Sequence, residues 1–215
     1  MNRDTMAPPI RFKSRLLCIA LAPLFLAACD AGAPAPPPEE PPLAGADIGG
    51  PFELTGEDGK TYGWDDFDGK YRIVYFGYAY CPDVCPTDVQ RMAQGLRLFE
   101  TESPELARQI QPIFITIDPA RDTQEVVGEF TDAFHPRLLG LTGTPEQVEK
   151  AAEVFRVYYQ KGADQPGGGY LMDHSNFTFL FGPDQILRQQ KQTVRTGGLA
   201  FAGQFNRHGG AVTAP

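Results

Sequence analysis

What this 215-residue chain has little of narrows its function first. It holds only four cysteines and three histidines, and its 19 Lys and Arg are outnumbered by 27 Asp and Glu. The resulting charge of −8, with a pI near 4.9, argues against a nucleic-acid partner, because phosphate binding needs clustered basic side chains. Cations or basic proteins suit it better. The apolar stretch Leu16 to Ala28 stops at 13 residues, short of the about 20 that a spanning helix needs. No internal repeat is evident. The glycine-rich stretch 162–169 is followed by no helix start, so it is no phosphate-binding fingerprint. An apolar content of 42% excludes a disordered or fibrous class and suits one ordinary domain with appendages.

The N-terminus reads as an export signal. Arg3, Arg11, Lys13 and Arg15 precede the apolar stretch, with only Asp4 opposing them. Leu26-Ala27-Ala28-Cys29 ends it and resembles the bacterial lipobox, which implies residues 1–28 as a removable signal and Cys29 as the lipid attachment site. Asp30 resembles the enterobacterial sorting pattern that retains a lipoprotein at the inner membrane. Losing residues 1–28 removes four basic charges and one acidic charge, taking the chain from −8 to −11. Residues 29–46, dominated by Pro, Ala and Gly around Pro36-Pro37-Pro38-Glu39-Glu40-Pro41-Pro42, are expected to be an extended tether. The expected location is the periplasmic face of a bacterial inner membrane.

From about residue 47 the pattern is that of a folded α/β domain reaching 207, with a disordered tail at 208–215. Asp58-Gly59 predicts a hairpin between Phe52-Glu53-Leu54 and Thr61-Tyr62. Asp65, Asp66 and Asp68 read as a solvated turn rather than a metal site. Tyr71 to Phe76 and Pro112 to Ile117 are predicted buried strands, and Leu138 to Leu141 a short third one. Helices are predicted from Pro86 or Thr87 to about Glu100, from a capping box of Asp122 with Glu125, and from Thr144-Pro145. Strands at 157–160 and 170–172 flank the glycine-rich excursion. The strand of Phe177, Phe179 and Phe181 turns at Gly182-Pro183-Asp184 into a hairpin, and a last helix is expected at about 196–206. Alternating strands and helices imply a three-layer α/β fold, a mixed sheet flanked by helices, with the N-terminal hairpin as an extension.

Cys81-Pro82-Asp83-Val84-Cys85-Pro86 carries the chemistry. It follows the strand directly, where a helix start favours thiolate over thiol. Cys18 lies inside the signal and Cys29 takes the lipid, so Cys81 and Cys85 are the exported domain's only thiols. A structural disulfide is the plain alternative, although such bridges usually close longer loops. In an oxidising compartment the pair would close unless a metal or a reductant held it open. His174, in Asp173-His174-Ser175, precedes the Phe177 strand. Were that strand antiparallel to the Tyr71 strand, the imidazole would lie beside the two sulfurs. Two thiolates and an imidazole suit copper in either oxidation state, whereas structural zinc takes four protein ligands. Met92 falls on the helical stripe and is read as core rather than as a thioether ligand. His135, just after a helix, is expected to serve its C-terminal dipole. His208 lies in the tail. Asp118 either supports the site or pairs locally with Arg121, the local pairing being favoured.

Gly77-Tyr78-Ala79-Tyr80-Cys81-Pro82-Asp83-Val84-Cys85-Pro86, Asp118-Pro119-Ala120-Arg121-Asp122 and Asp173-His174-Ser175 resemble the three signatures of the Sco/SenC family, over about residues 48–206. The resemblance implies a thioredoxin-like fold and copper ligation by Cys81, Cys85 and His174. It also implies a role in assembling the copper A centre of cytochrome oxidase, by donating copper or by reducing the centre's cysteines. The expected partners are the oxidase's copper-binding subunit and a second copper chaperone as donor, and the chain is expected to act as a monomer. Two departures stand out. Tyr78-Ala79-Tyr80 replaces the family's aromatic-Thr-aromatic, which should alter packing rather than ligation. A lipid anchor replaces the transmembrane helix of many relatives. Thioredoxins place a cis-Pro opposite their Cys pair, and Ser175-Asn176 show none, which favours metal binding over general disulfide exchange.

Overall fold

The computed structural model describes residues 45–185 and 187–192. The expected signal at 1–28, Cys29, most of the tether at 29–46, the helix at 196–206 and the tail at 208–215 lie outside the described residues. No helix among the described residues is long and apolar enough to cross a membrane.

Among the described residues, nine strands and four α-helices follow one another as β1 (Glu53–Gly56), β2 (Thr61–Gly63), β3 (Tyr71–Gly77), α1 (Val84–Glu102), α2 (Pro104–Ala107), β4 (Ile110–Thr116), α3 (Gln124–Asp132), β5 (Leu139–Thr142), α4 (Pro145–Val154), β6 (Tyr159–Asp164), β7 (Tyr170–His174), β8 (Phe177–Phe181) and β9 (Leu187–Gln192). Seven strands form one mixed sheet in the order β2-β1-β5-β4-β3-β8-β9, with β3, β4 and β5 parallel. Among the described residues, β6 and β7 pair only with each other. The layered α/β expectation and the N-terminal hairpin are both present.

Strand alternation sorts the core into two faces. On β3, Ile73, Tyr75 and Gly77 share a face with Phe114 of β4 and Gly140 of β5, and α1 and α3 cover it. A side chain at Gly140 would lie 2.4 Å from Val127 of α3, so glycine there lets the helix seat. Arg72, Val74 and Phe76 share the other face with Phe179 and Phe181 of β8. Phe155, at the end of α4, is fully buried there against Phe52, Trp64, Phe76, Phe179 and Phe181. Arg72 is buried too, stacked 4.1 Å over Trp64 and bonded through Nη2 to Asp68.

The Asp65–Asp68 stretch is an exposed turn as expected, built on the 3-10 segment Trp64–Phe67: Asp66 accepts from the Gly63 N–H and Asp68 from Arg72. Two local expectations change. The first long helix begins at Val84, so Cys85 is its second residue; Pro86 fits the first turn, where its missing N–H has no partner to lose. The cap of α3 is Thr123, whose hydroxyl accepts from the Val126 N–H, and not Asp122. The Asp122 carboxylate turns inward instead, where the Thr116 hydroxyl and the Ala79 N–H both donate to it.

Candidate metal centre

The parallel strands β3 and β4 end side by side, and β8 begins beside the end of β3, with Thr178 opposite Tyr75. This antiparallel neighbour brings the chain's return near the Cys loop. Cys81 follows β3 in the loop, Cys85 sits in the first turn of α1, and His174 is the last residue of β7, just before β8. One donor atom from each lies within 4.8 Å of the others. The Cys85 Sγ is 3.3 Å from His174 Nε2, and the Cys85 N–H points at the Cys81 Sγ at 3.3 Å. Both cysteines are free thiols.

The two sulfurs have different surroundings. Cys81 is 8% exposed and Cys85 wholly buried. A hydrogen bond from Cys85, reinforced by His174 and by the backbone N–H groups of Asp83 and Cys85, lowers the pKa of the Cys81 thiol. Cys85 moves the opposite way, raised first by its bond to Cys81 and then by burial. The contact between the two sulfurs thus pushes their pKa values apart, Cys81 down and Cys85 up. The platform beneath is tightly shaped. A side chain at Gly77 would meet Tyr75 at 2.8 Å and the Cys85 Sγ at 3.1 Å, so the strand must end in glycine for that sulfur to fit.

His174 is oriented from both sides. Its Nδ1 lies 2.9 Å from the Ser175 carbonyl oxygen, leaving Nε2 towards the sulfurs, and the Tyr78 ring meets the imidazole edge-on at 6.0 Å between centroids. The Tyr78 hydroxyl accepts from the Met172 N–H on the same strand. Tyr78 is therefore buried packing, and Ala79 contributes its N–H to Asp122.

Asp118 makes the local pairing favoured for it and also reaches β7. Its Oδ2 takes the Arg121 Nε at 2.5 Å, and its Oδ1 takes the Tyr170 hydroxyl of β7 at 2.8 Å. Met92 is core, 5% exposed. His135 is not a charged dipole partner. It is 3% exposed, accepts from the Arg137 N–H at Nδ1, and meets Glu100 with Nε2; burial lowers its pKa and favours the neutral ring. Sequence reasoning missed Tyr170, because nothing in its local pattern shows that β7 folds back onto Asp118.

The SCO1/SenC family model matches residues 40–196. "Protein SenC" of Rhodobacter capsulatus is 46% identical over 141 residues, 65% of this chain and 61% of that protein. "Protein SCO1 homolog, mitochondrial" of Homo sapiens is 39% identical over 154 residues, covering 71% of this chain and 50% of the relative. The chain thus spans about half the length of that curated relative. Among solved structures, yeast Sco1 with copper bound superposes with a TM-score of 0.69 at 34% identity, over 78% of this chain and 92% of that one. The signatures, the sheet and the two-cysteine, one-histidine cluster all agree with that match: this chain belongs to the SCO1/SenC family.

Proposed function

We propose that the protein is a membrane-tethered copper metallochaperone. It binds copper through Cys81, Cys85 and His174 and assists assembly of the copper A centre of cytochrome c oxidase. The observation that carries this reading is the convergence of two sulfurs and one imidazole nitrogen within 4.8 Å of one another. Soft thiolate and imidazole donors suit copper, and three protein ligands leave room for an incoming one. The copper-bound yeast relative, at 34% identity, supports the choice of metal.

Transfer to a client needs a surface that lets another protein approach the metal. Four large hydrophobic side chains are exposed among the described residues: Tyr80, Val84, Tyr158 and Leu171. Tyr80 precedes Cys81, Val84 precedes Cys85, Leu171 shares β7 with His174, and Tyr158 hydrogen-bonds Ser175. Apolar groups gathered beside a reactive site favour partner docking. The oxidase's copper-binding subunit is the proposed recipient, another copper chaperone the donor, and a monomer the working form. The signal at 1–28 and lipidation of Cys29 would hold residues 47–207 at the periplasmic face of the inner membrane through the tether at 29–46.

The test is a titration of the reduced full-length chain with Cu(I). One tightly bound equivalent, weakened in His174→Ala, is expected. Failure to bind, or equal binding by His174→Ala, sinks the reading.

A second reading, a thiol-disulfide oxidoreductase reducing the oxidase's copper-site cysteines, draws on the unequal thiols. Cys81 at the helix start would attack, and buried Cys85 would resolve the mixed disulfide. His174→Ala separates the two, since a reductase retains most thiol exchange without the imidazole.

A further inference from the structure

The two halves of the site reach the fold by different routes, and both routes pass through the loop after β4. On the thiol side, the Ala79 N–H donates to Asp122 Oδ2 at 2.9 Å, two residues before Cys81. The Thr116 hydroxyl donates to the same oxygen at 2.6 Å and accepts from the Asp118 N–H at 2.9 Å. On the imidazole side, Asp118 takes the Tyr170 hydroxyl, and the Arg121 Nη1 donates to the Tyr170 carbonyl oxygen at 2.9 Å. The Arg121 guanidinium lies 3.7 Å from the Tyr170 ring, 5.2 Å from Tyr80 and 5.7 Å from Tyr78. One cation therefore touches the Cys loop, the β4–α3 loop and the strand that carries His174.

The hairpin needs such a fastening. Two-stranded hairpins are marginal in water by themselves, and β6 and β7 share no ladder with the main sheet. Besides the Cys85–His174 contact within the site, three hydrogen bonds join β7 to the body: Met172 N–H to Tyr78, Tyr170 hydroxyl to Asp118, and Arg121 to Tyr170. Two of them involve the Arg121–Asp118 pair. That pair is itself shielded, with Asp118 2% exposed, so its attraction is screened less than at a surface.

We propose that Arg121, held by Asp118, is the positioning residue of the metal site: it fastens the β6–β7 hairpin against the Cys loop and so sets the reach of the His174 imidazole to the two sulfurs. This rests on the reading of Cys81, Cys85 and His174 as copper ligands. Arg121 touches no metal. Its whole effect on copper passes through His174.

A double-mutant cycle tests that statement. Parent, Arg121→Gln, His174→Ala and the double variant, each as reduced full-length chain, are titrated with Cu(I) against a chromophoric competitor. Arg121→Gln is expected to weaken binding about 10-fold, within the range for residues that support a ligand. In the His174→Ala background the same change should cost no more than about twofold. Equal losses in both backgrounds, or none in the parent, overturn the proposal. Tyr170→Phe guards against misfolding, since it keeps the ring under the guanidinium and removes only a hydroxyl; a smaller loss, again absent without His174, is expected. Hydrogen exchange on the metal-free chain gives a readout independent of copper. The Met172 amide should exchange about 10 times faster in Arg121→Gln while β3 amides stay protected. Unchanged exchange at Met172 overturns the proposal. Copper binding that is indifferent to His174→Ala, together with faster exchange at Met172, overturns the copper reading and retains the fastening.

Discussion

In the seven-stranded sheet, β3 is buried from Arg72 to Gly77, whereas no residue of the β6–β7 hairpin is fully buried. The sheet carries the thiols on a platform packed from both faces. The hairpin carries the imidazole on two strands that meet the body through the partly buried Tyr159 and Met172 and through polar and ring contacts. The thiol half of the site thus rests on the main sheet and the imidazole half on a separate hairpin.

The contrast can be broken most strongly at the platform. Phe155→Ala removes a ring surrounded by five aromatic partners. It should cost about 3–5 kcal/mol in denaturant unfolding, the usual loss for a buried phenylalanine. A loss below about 1 kcal/mol would mean that the two sheet faces do not share the core described. Next comes the thiol half: Cys81→Ser should weaken Cu(I) binding more than about 100-fold, beyond what supporting residues cost, in a competition titration. The imidazole half is weaker, with His174→Ala expected to lose roughly 10–100-fold in the same assay. A reversed order would show the hairpin, not the platform, to be the dominant anchor of the metal.

The smallest effect lies on the platform's far side and is one of pH. Burial lowers the His135 pKa, opposed by Glu100 and aided by Arg97 and Arg137. The unfolded chain therefore takes up the proton first as pH falls below about 6.5. The stability from a neutral His135 is present above that pH and is lost progressively down to the lowered folded value. His135→Gln should flatten the stability curve in that window, measured by unfolding at several pH values, while copper binding stays as in the parent.

Much of this was legible in the chain. Continuous apolar runs marked β3 and β4 because parallel strands covered on both faces have no polar side to show. Thr144-Pro145 marked α4 because a cap followed by proline has a local physical cause. The Cys81, Cys85 and His174 set was recognisable from the signatures it sits in. Asp122 was misread as a cap because its partners, Thr116 and Ala79, are supplied by other elements, and no local pattern announces them. The same reason hid Tyr170, whose hydroxyl reaches Asp118 across 52 positions of sequence. His135 looked like a dipole partner because helix ends favour cations, but its burial depends on packing against α1. Local chemistry is readable from sequence, and chemistry made by tertiary return is not.

The central proposal is that two sulfurs on the sheet platform and one nitrogen on the hairpin hold the metal. X-ray absorption on the Cu(I)-loaded, reduced full-length chain tests it most directly. Two sulfur neighbours and one nitrogen neighbour in the parent, falling to sulfur alone with the same two-sulfur shell in His174→Ala, is the result this account predicts. An identical spectrum from the two proteins, or a parent shell without both sulfurs, would contradict it.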